Sequence, residues 1–152
     1  MAPGEFELGT DGPSVILVGI DESVTASRAA AYAAGLARRQ GARVVTVYVQ
    51  SPGSYVITSS VGASVLAAEA EAHGEIAGEL SARMDSAALE LGIPMTFITV
   101  QGDPFHEISR IAQETRADAI VVGASLKAGH RLLGSLAVRL VRAGKWPVTV
   151  VP

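Results

Sequence analysis

The sequence predicts an α/β domain: a five-stranded parallel sheet with helices on both faces. Short apolar runs rich in β-branched residues alternate with longer segments of helical period, in the order β-α-β-α-β-α-β-α-β. Two of the runs, Val15-Ile16-Leu17-Val18 and Ala119-Ile120-Val121-Val122, are apolar at every position, as strands covered on both faces are. Each is followed by a glycine, Gly19 or Gly123. In such sheets a ligand sits at the carboxyl ends of the strands, where the strand order reverses.

Taken in order, Ser14–Ile20 is the first strand. Ser23–Gln40 is a helix with Ala26, Ala29, Ala30, Ala33, Leu36 and Ala37 on one face. Asp21 or Ser23 caps its start and Gly41 stops it. So many small residues predict close approach of helix to sheet. Arg43–Gln50 is the second strand. Ser51–Gly62 is small, polar and aperiodic, a connection that is either a functional lid or simply mobile. Ser64–Leu91 is helical, with Ile76, Leu80, Met84, Ala87 and Leu91 forming its stripe. Glu69, Glu71, Glu75 and Glu79 suit its dipole, while Gly74 and Gly78 weaken its middle. Pro94–Gln101 is the third strand, with Met95 and Phe97 on one side. In Gly102-Asp103-Pro104 a capping aspartate precedes a proline at the first helical position. Phe105, Ile108, Ile111, Ala112 and Thr115 are the stripe of that helix. The fourth strand follows, then a helix with Leu133, Leu136, Ala137, Leu140 and Val141 at helical spacing, and Pro147–Val151 closes the sheet. His73 and His106 are expected on the surface, and Trp146 at the sheet edge or a dimer seam.

At 152 residues the chain is one domain by length and large enough to bury a core. With 49% hydrophobic and 18% charged residues it lies outside the disordered class. No apolar run has the length of a membrane span. The net charge of −3 argues against nucleic-acid binding by the whole protein. Yet five of the twelve basic residues (Lys127, Arg131, Arg139, Arg142, Lys145) fall within nineteen positions, which suits a local anion site. Without cysteine there are no disulfides, iron–sulfur clusters or thiol chemistry, and three scattered histidines lack zinc-site spacing. No basic segment followed by an apolar one opens the chain, so a cytoplasmic location is the default expectation. Glu5-Phe6-Glu7-Leu8-Gly9-Thr10 reads as a translated cloning polylinker. Residues 1–10 are therefore set aside as a vector-derived scar, and 11–152 are taken as the domain.

Function points first to the stretch from Ala117 to Ser135. After the fourth strand comes a polar, glycine-containing loop with Lys127, His130 and Arg131, then Gly134-Ser135 at a helix start. Strand, basic loop and helix N-terminus is an arrangement that holds phosphate, because unpaired N–H groups and the positive end of the helix dipole meet the anion. The competing account is an ordinary strand-to-helix turn with solubilising charges. No catalytic constellation emerges: Ser125 or Ser135 would need to stand beside His130, and nothing in the spacing requires it.

Taken together, these residues resemble the universal stress protein family over nearly the whole chain, from Ser14 to Pro152. Gly19-x-Asp21-x-Ser23-x3-Ser27-x-Ala29 is similar to the family's first strand-to-helix junction. Gly102-Asp103-Pro104 with Ile108, Ala112, Glu114 and Ala117-Asp118 is similar to its third crossover, and Gly134-Ser135 with Pro147-Val148-x-Val150 to its closing segment. The fold this implies is Rossmann-like, of the adenine nucleotide alpha hydrolase type, with strand order 3-2-1-4-5. It also implies a homodimer paired through the last strand, at Val148 and Val150. Many members bind ATP through a loop of the form G-x2-G-x9-G-[ST]. Here Gly123 and Gly134-Ser135 match its ends, Leu126 stands at the middle glycine, and the loop is two residues shorter. Leucine cannot give the close backbone approach that glycine allows; Gly129 offers a bend elsewhere.

The resemblance places Ile20 and Asp21 at the adenine or ribose, Val49 against the base, and Gly123 and Ser125 along the phosphates. Gly134 and Ser135 would supply donors at the helix start, while Ala137 stands where ATP-binding relatives often carry a hydroxyl. The plainer roles are a helix cap for Asp21, a tight turn for Gly123 and Ser125, and an N-cap for Gly134-Ser135. Lys127, His130 and Arg131 either contact phosphate or form a solvated basic loop. The function implied is an ATP-binding regulatory protein, with AMP or cyclic AMP as other adenine nucleotides. The alternative is a dimeric interaction module with a degenerate pocket. Slow ATP hydrolysis is associated with the family, but no residue here nominates itself as the base.

Overall fold

The computed structural model describes residues 12–51, 60–125 and 134–152. Among these, strand and helix alternate as expected: β1 (Val15–Ile20), α1 (Val24–Gln40), β2 (Arg43–Gln50), α2 (Ser60–Leu91), β3 (Met95–Gln101), α3 (Pro104–Glu114), β4 (Ala119–Gly123), α4 (Ser135–Ala143) and β5 (Val148–Val151). Every strand pairing is parallel, and the order is β3-β2-β1-β4-β5. Winding runs outward from β1 to β3, then returns to lay β4 on the other side of β1. Right-handed crossovers therefore place α1 and α2 on one face and α3 and α4 on the other.

Strand alternation sorts two cores. Ile16, Val18, Ile20, Val44 and Tyr48 face α1 and α2, whereas Leu17, Val45 and Val47 face α3 and α4. Met95 and Phe97 join the first core, and Ile98 and Val100 the second. Helix α1 buries Ala26, Ala29, Ala33, Ala34 and Ala37, and these small side chains let its axis lie close to the sheet. Ser23, not Asp21, is its N-cap: the Ser23 side chain accepts the Ala26 N–H at 3.1 Å. Asp21 Oδ1 instead accepts the Ser23 N–H at 2.8 Å. Gly41 ends the helix in the left-handed region, φ 66°.

Three expectations are corrected. Helix α2 starts at Ser60 rather than Ser64; from Ala63 to Ala68 all but Leu66 are exposed, so the start of the helix carries no apolar stripe to read. His73 is more than a surface residue, since its Nδ1 pairs with the hydroxyl of buried Tyr48 at 2.7 Å. Burial, with the nearby charges of Glu22 and Asp21, pushes that Tyr48 phenol up. In α4 Ala137 and Leu140 are buried and Leu136 packs against the same core, whereas Val141 faces solvent and Leu133 lies outside the described residues. Trp146 packs on the α3 and α4 side of the sheet.

Two aspartates set the element starts. Asp118 Oδ2 accepts the N–H groups of Ser14 and Val15 at 2.8 and 2.9 Å, tying the base of β1 to that of β4. Asp103 caps α3 by accepting the His106 N–H at 3.1 Å, with Pro104 in the first turn. Its other oxygen takes Arg139 Nη1 of α4 at 3.0 Å, and the Arg139 guanidinium lies 4.4 Å from the centre of the Phe105 ring. The Arg139 bond, and then the His106 N–H, hold the Asp103 carboxyl below the usual carboxylate range. Stability from a lowered carboxyl is present above the unfolded value and is lost as pH falls through the folded one. Asp103→Ala is expected to cost about 1 kcal/mol at pH 7, a drop of about 2–4 °C in Tm. In thermal melts followed by circular dichroism, the gap from the unmodified protein should narrow as pH is taken below 3.8.

Candidate functional site

The sheet forks at its carboxyl end. Pairing of β1 with β2 continues to Ile20↔Tyr48, and that of β4 with β5 to Gly123↔Val151. Between β1 and β4, however, the ladder runs only from Ile16↔Ala119 to Val18↔Val121. Gly19–Asp21 and Val122–Ala124 are the two prongs. This is the reversal of strand order, where an open α/β sheet leaves room for a ligand.

The first turn of α1 is seated against the β4 prong. A Cβ on Gly123 would stand 2.6 Å from the Thr25 carbonyl carbon and 2.7 Å from the Ala26 nitrogen. Glycine is required there because backbone meets backbone, not because the chain turns. The tight-turn account of Gly123 is thus replaced by close packing. Thr25 is 2% exposed, and its Oγ1 donates to the Ala124 carbonyl at 2.8 Å.

Between the prongs and the α3–α4 side lies a cavity of about 640 Å³. Ile20, Asp21, Val49, Gly123, Ser125, Gly134 and Ser135 all line it. Lys127, His130 and Arg131 fall outside the described residues, as do Leu126 and Gly129. On the β1–β2 side Val47 and Val49 form an apolar wall, and Ile20 and Asp21 line the cavity at the end of β1. Across from it stand Gly123–Ser125 and the first turn of α4: Ser135, Leu136 and Ala137.

Gly134 is the N-cap of α4 and Ser135 its first residue, and among the described residues no side chain caps the helix. An uncapped first turn has N–H groups without helical acceptors, which favours an anion in front of it. Gly134 has φ −58°, so it too serves packing rather than a left-handed turn: a Cβ there would lie 2.8 Å from Ser125 Cβ. The two ends of the 126–133 segment are thereby held side by side.

Thr25, Val47, Ser51, Pro104 and Leu136 also line the cavity, and sequence reasoning had not put them there. The one signal for Thr25 was a hydroxyl in the opening turn of an otherwise alanine-faced helix.

A model of the universal stress protein family matches residues 14–152. A universal stress protein of Methanocaldococcus jannaschii is 30% identical over 139 residues, spanning 90% of this chain and 80% of that one. The universal stress protein UspA from Lactobacillus plantarum superposes with a TM-score of 0.75 at 28% identity, over 91% of this chain and 97% of its own. A universal stress protein solved in complex with cAMP superposes with a TM-score of 0.69 at 26% identity, over 93% and 99%.

Gly123→Ala is expected to destabilise by about 1–3 kcal/mol, because helix or strand must shift to admit the methyl group. Gly78→Ala in α2, where a Cβ meets nothing within 4 Å, should instead stabilise by about 0.5–1 kcal/mol. Urea unfolding of the two variants beside the unmodified protein checks the sign of each.

Proposed function

The chain belongs to the universal stress protein family, and from that premise we propose that it is a cytoplasmic regulatory protein that binds an adenine nucleotide across the fork between β1 and β4. The observation that carries this reading is the fork itself, with an apolar wall on one side and an uncapped helix start on the other. Adenine is flat and largely apolar on its faces, so it suits Val47 and Val49, with Ile20 at the end of β1 beside them. The Asp21 carboxylate at the end of β1 accepts hydrogen bonds from ribose hydroxyls or the adenine amino group. Phosphate then falls toward Gly123–Ser125 and the first turn of α4, where backbone N–H groups and the helix dipole favour negative charge. Lys127, His130 and Arg131, in the segment joining those two features, add cationic partners.

ATP is the nucleotide that the family resemblance implies, and AMP or cyclic AMP make the same use of the wall and of Asp21. The relative solved with cAMP supports an adenine nucleotide as the class of ligand.

The exposed edge of the sheet favours a second reading, a dimeric interaction module. Strand β5 is the last in the order, and all four of its residues, Val148–Val151, are half-buried. An edge strand offers a row of backbone groups to a second copy.

Isothermal titration with ATP, AMP and cyclic AMP is expected to show binding by at least one. Asp21→Ala should weaken it about tenfold or more, as loss of a charged hydrogen-bond acceptor does. If no ligand binds at millimolar concentration, but Leu126→Gly does bind, the pocket is degenerate and the second reading takes over. Sedimentation equilibrium is expected to give a dimer that Val150→Asp converts to monomer; a monomeric unmodified chain would remove the edge-strand pairing.

A further inference from the structure

On the reading of the site just given, we infer that Thr25 is a positioning residue whose hydroxyl joins the two rims of the crevice into one hydrogen-bonded unit. Asp21 stands on the base-side rim, and its Oδ1 accepts the Ser23 N–H at 2.8 Å. The Ser23 hydroxyl oxygen accepts the Ala26 N–H at 3.1 Å and lies 3.2 Å from Thr25 Oγ1. Thr25 has one hydroxyl proton, and the Ala124 carbonyl takes it at 2.8 Å. The Ser23 hydroxyl therefore donates to Thr25 Oγ1, so in this relay Ser23, held by Asp21 through its backbone N–H, is linked through its side chain and Thr25 to Ala124.

Ala124 is held from its other side as well. Its own N–H donates to the Val151 carbonyl of β5 at 2.8 Å. With both polar groups of this residue engaged, the next residue, Ser125, is presented to the cavity in one orientation, and it abuts Gly134 at the start of α4. The phosphate-side rim is thus anchored to the base-side rim by a single side chain, across a sequence separation of 99 residues.

Packing alone does not ask for a hydroxyl at this position. Thr25 is 2% exposed in the first turn of α1, and valine has nearly its shape. What valine lacks is the proton for Ala124 and the acceptor for Ser23. Thr25→Val therefore cuts the relay while keeping the volume, and Thr25→Ser keeps the relay while trimming a methyl group.

The experiment compares adenosine, which engages only the base-side rim, with AMP, which adds one phosphate at the other. In Thr25→Val, AMP affinity is expected to fall about tenfold and adenosine affinity less than threefold, with Thr25→Ser restoring most of the AMP affinity. Amide hydrogen exchange without ligand should quicken at both Ser23 and Ser125 in Thr25→Val. Equal losses for the two ligands, or failure of Thr25→Ser to restore AMP binding, would overturn the role, as would unchanged exchange at either rim. If the unmodified protein binds neither of these ligands, nor ATP or cyclic AMP in the titration above, the proposed function fails by itself, and the exchange measurement decides the relay.

Discussion

Everything at the carboxyl end of this sheet depends on backbone meeting backbone between Gly123 and the Thr25–Ala26 peptide. With no Cβ in the way, the first turn of α1 comes to rest against the tip of β4. The two prongs are then bridged by α1 instead of by a ladder, which has already ended at Val18↔Val121. Any larger residue at 123 must move a helix whose alanine face lies against the same sheet. The constraint is steric and short-ranged. It decides where the cavity opens and which atoms look into it.

The rest of the fold keeps that junction in place. Asp118 binds the bases of β1 and β4 together, so the two strands diverge only at their far ends. On the opposite face, Asp103 couples the start of α3 to α4 through Arg139, which also lies over Phe105. The α4 start that faces the cavity is consequently set by contacts at a distance from it. Among the described residues no side chain caps its first turn, which is a cost for a helix and an opportunity for an anion. Sites commonly break local rules in this way while the surrounding elements obey them.

Much of this was legible in the sequence. Apolar runs and helical periods marked each element, because a chain alternating in this way can bury its faces only as a covered parallel sheet. Seven of the ten residues expected at the site line one cavity, Ile20 and Asp21 from one prong, Gly123 from the other and Ser125 just beyond it. The remaining three, Lys127, His130 and Arg131, lie outside the described residues. What the pattern could not convey was the reason for the glycines. Gly123 read as a turn former and Gly134 as part of an N-cap, yet each makes room for a neighbour distant in sequence or across a loop. Nor did it distinguish Asp21 from Ser23 as the cap, since both are good cap residues and only geometry separates them.

By itself, then, the sequence determined the architecture and the family, because hydrophobic period and local start and stop signals act over a few residues and survive in one dimension. Tertiary structure alone decided that the ladder between β1 and β4 stops short, that α1 docks in the opening, and that Thr25 reaches Ala124. These are contacts between segments about a hundred residues apart. No local preference encodes them; they follow from how two packed faces meet.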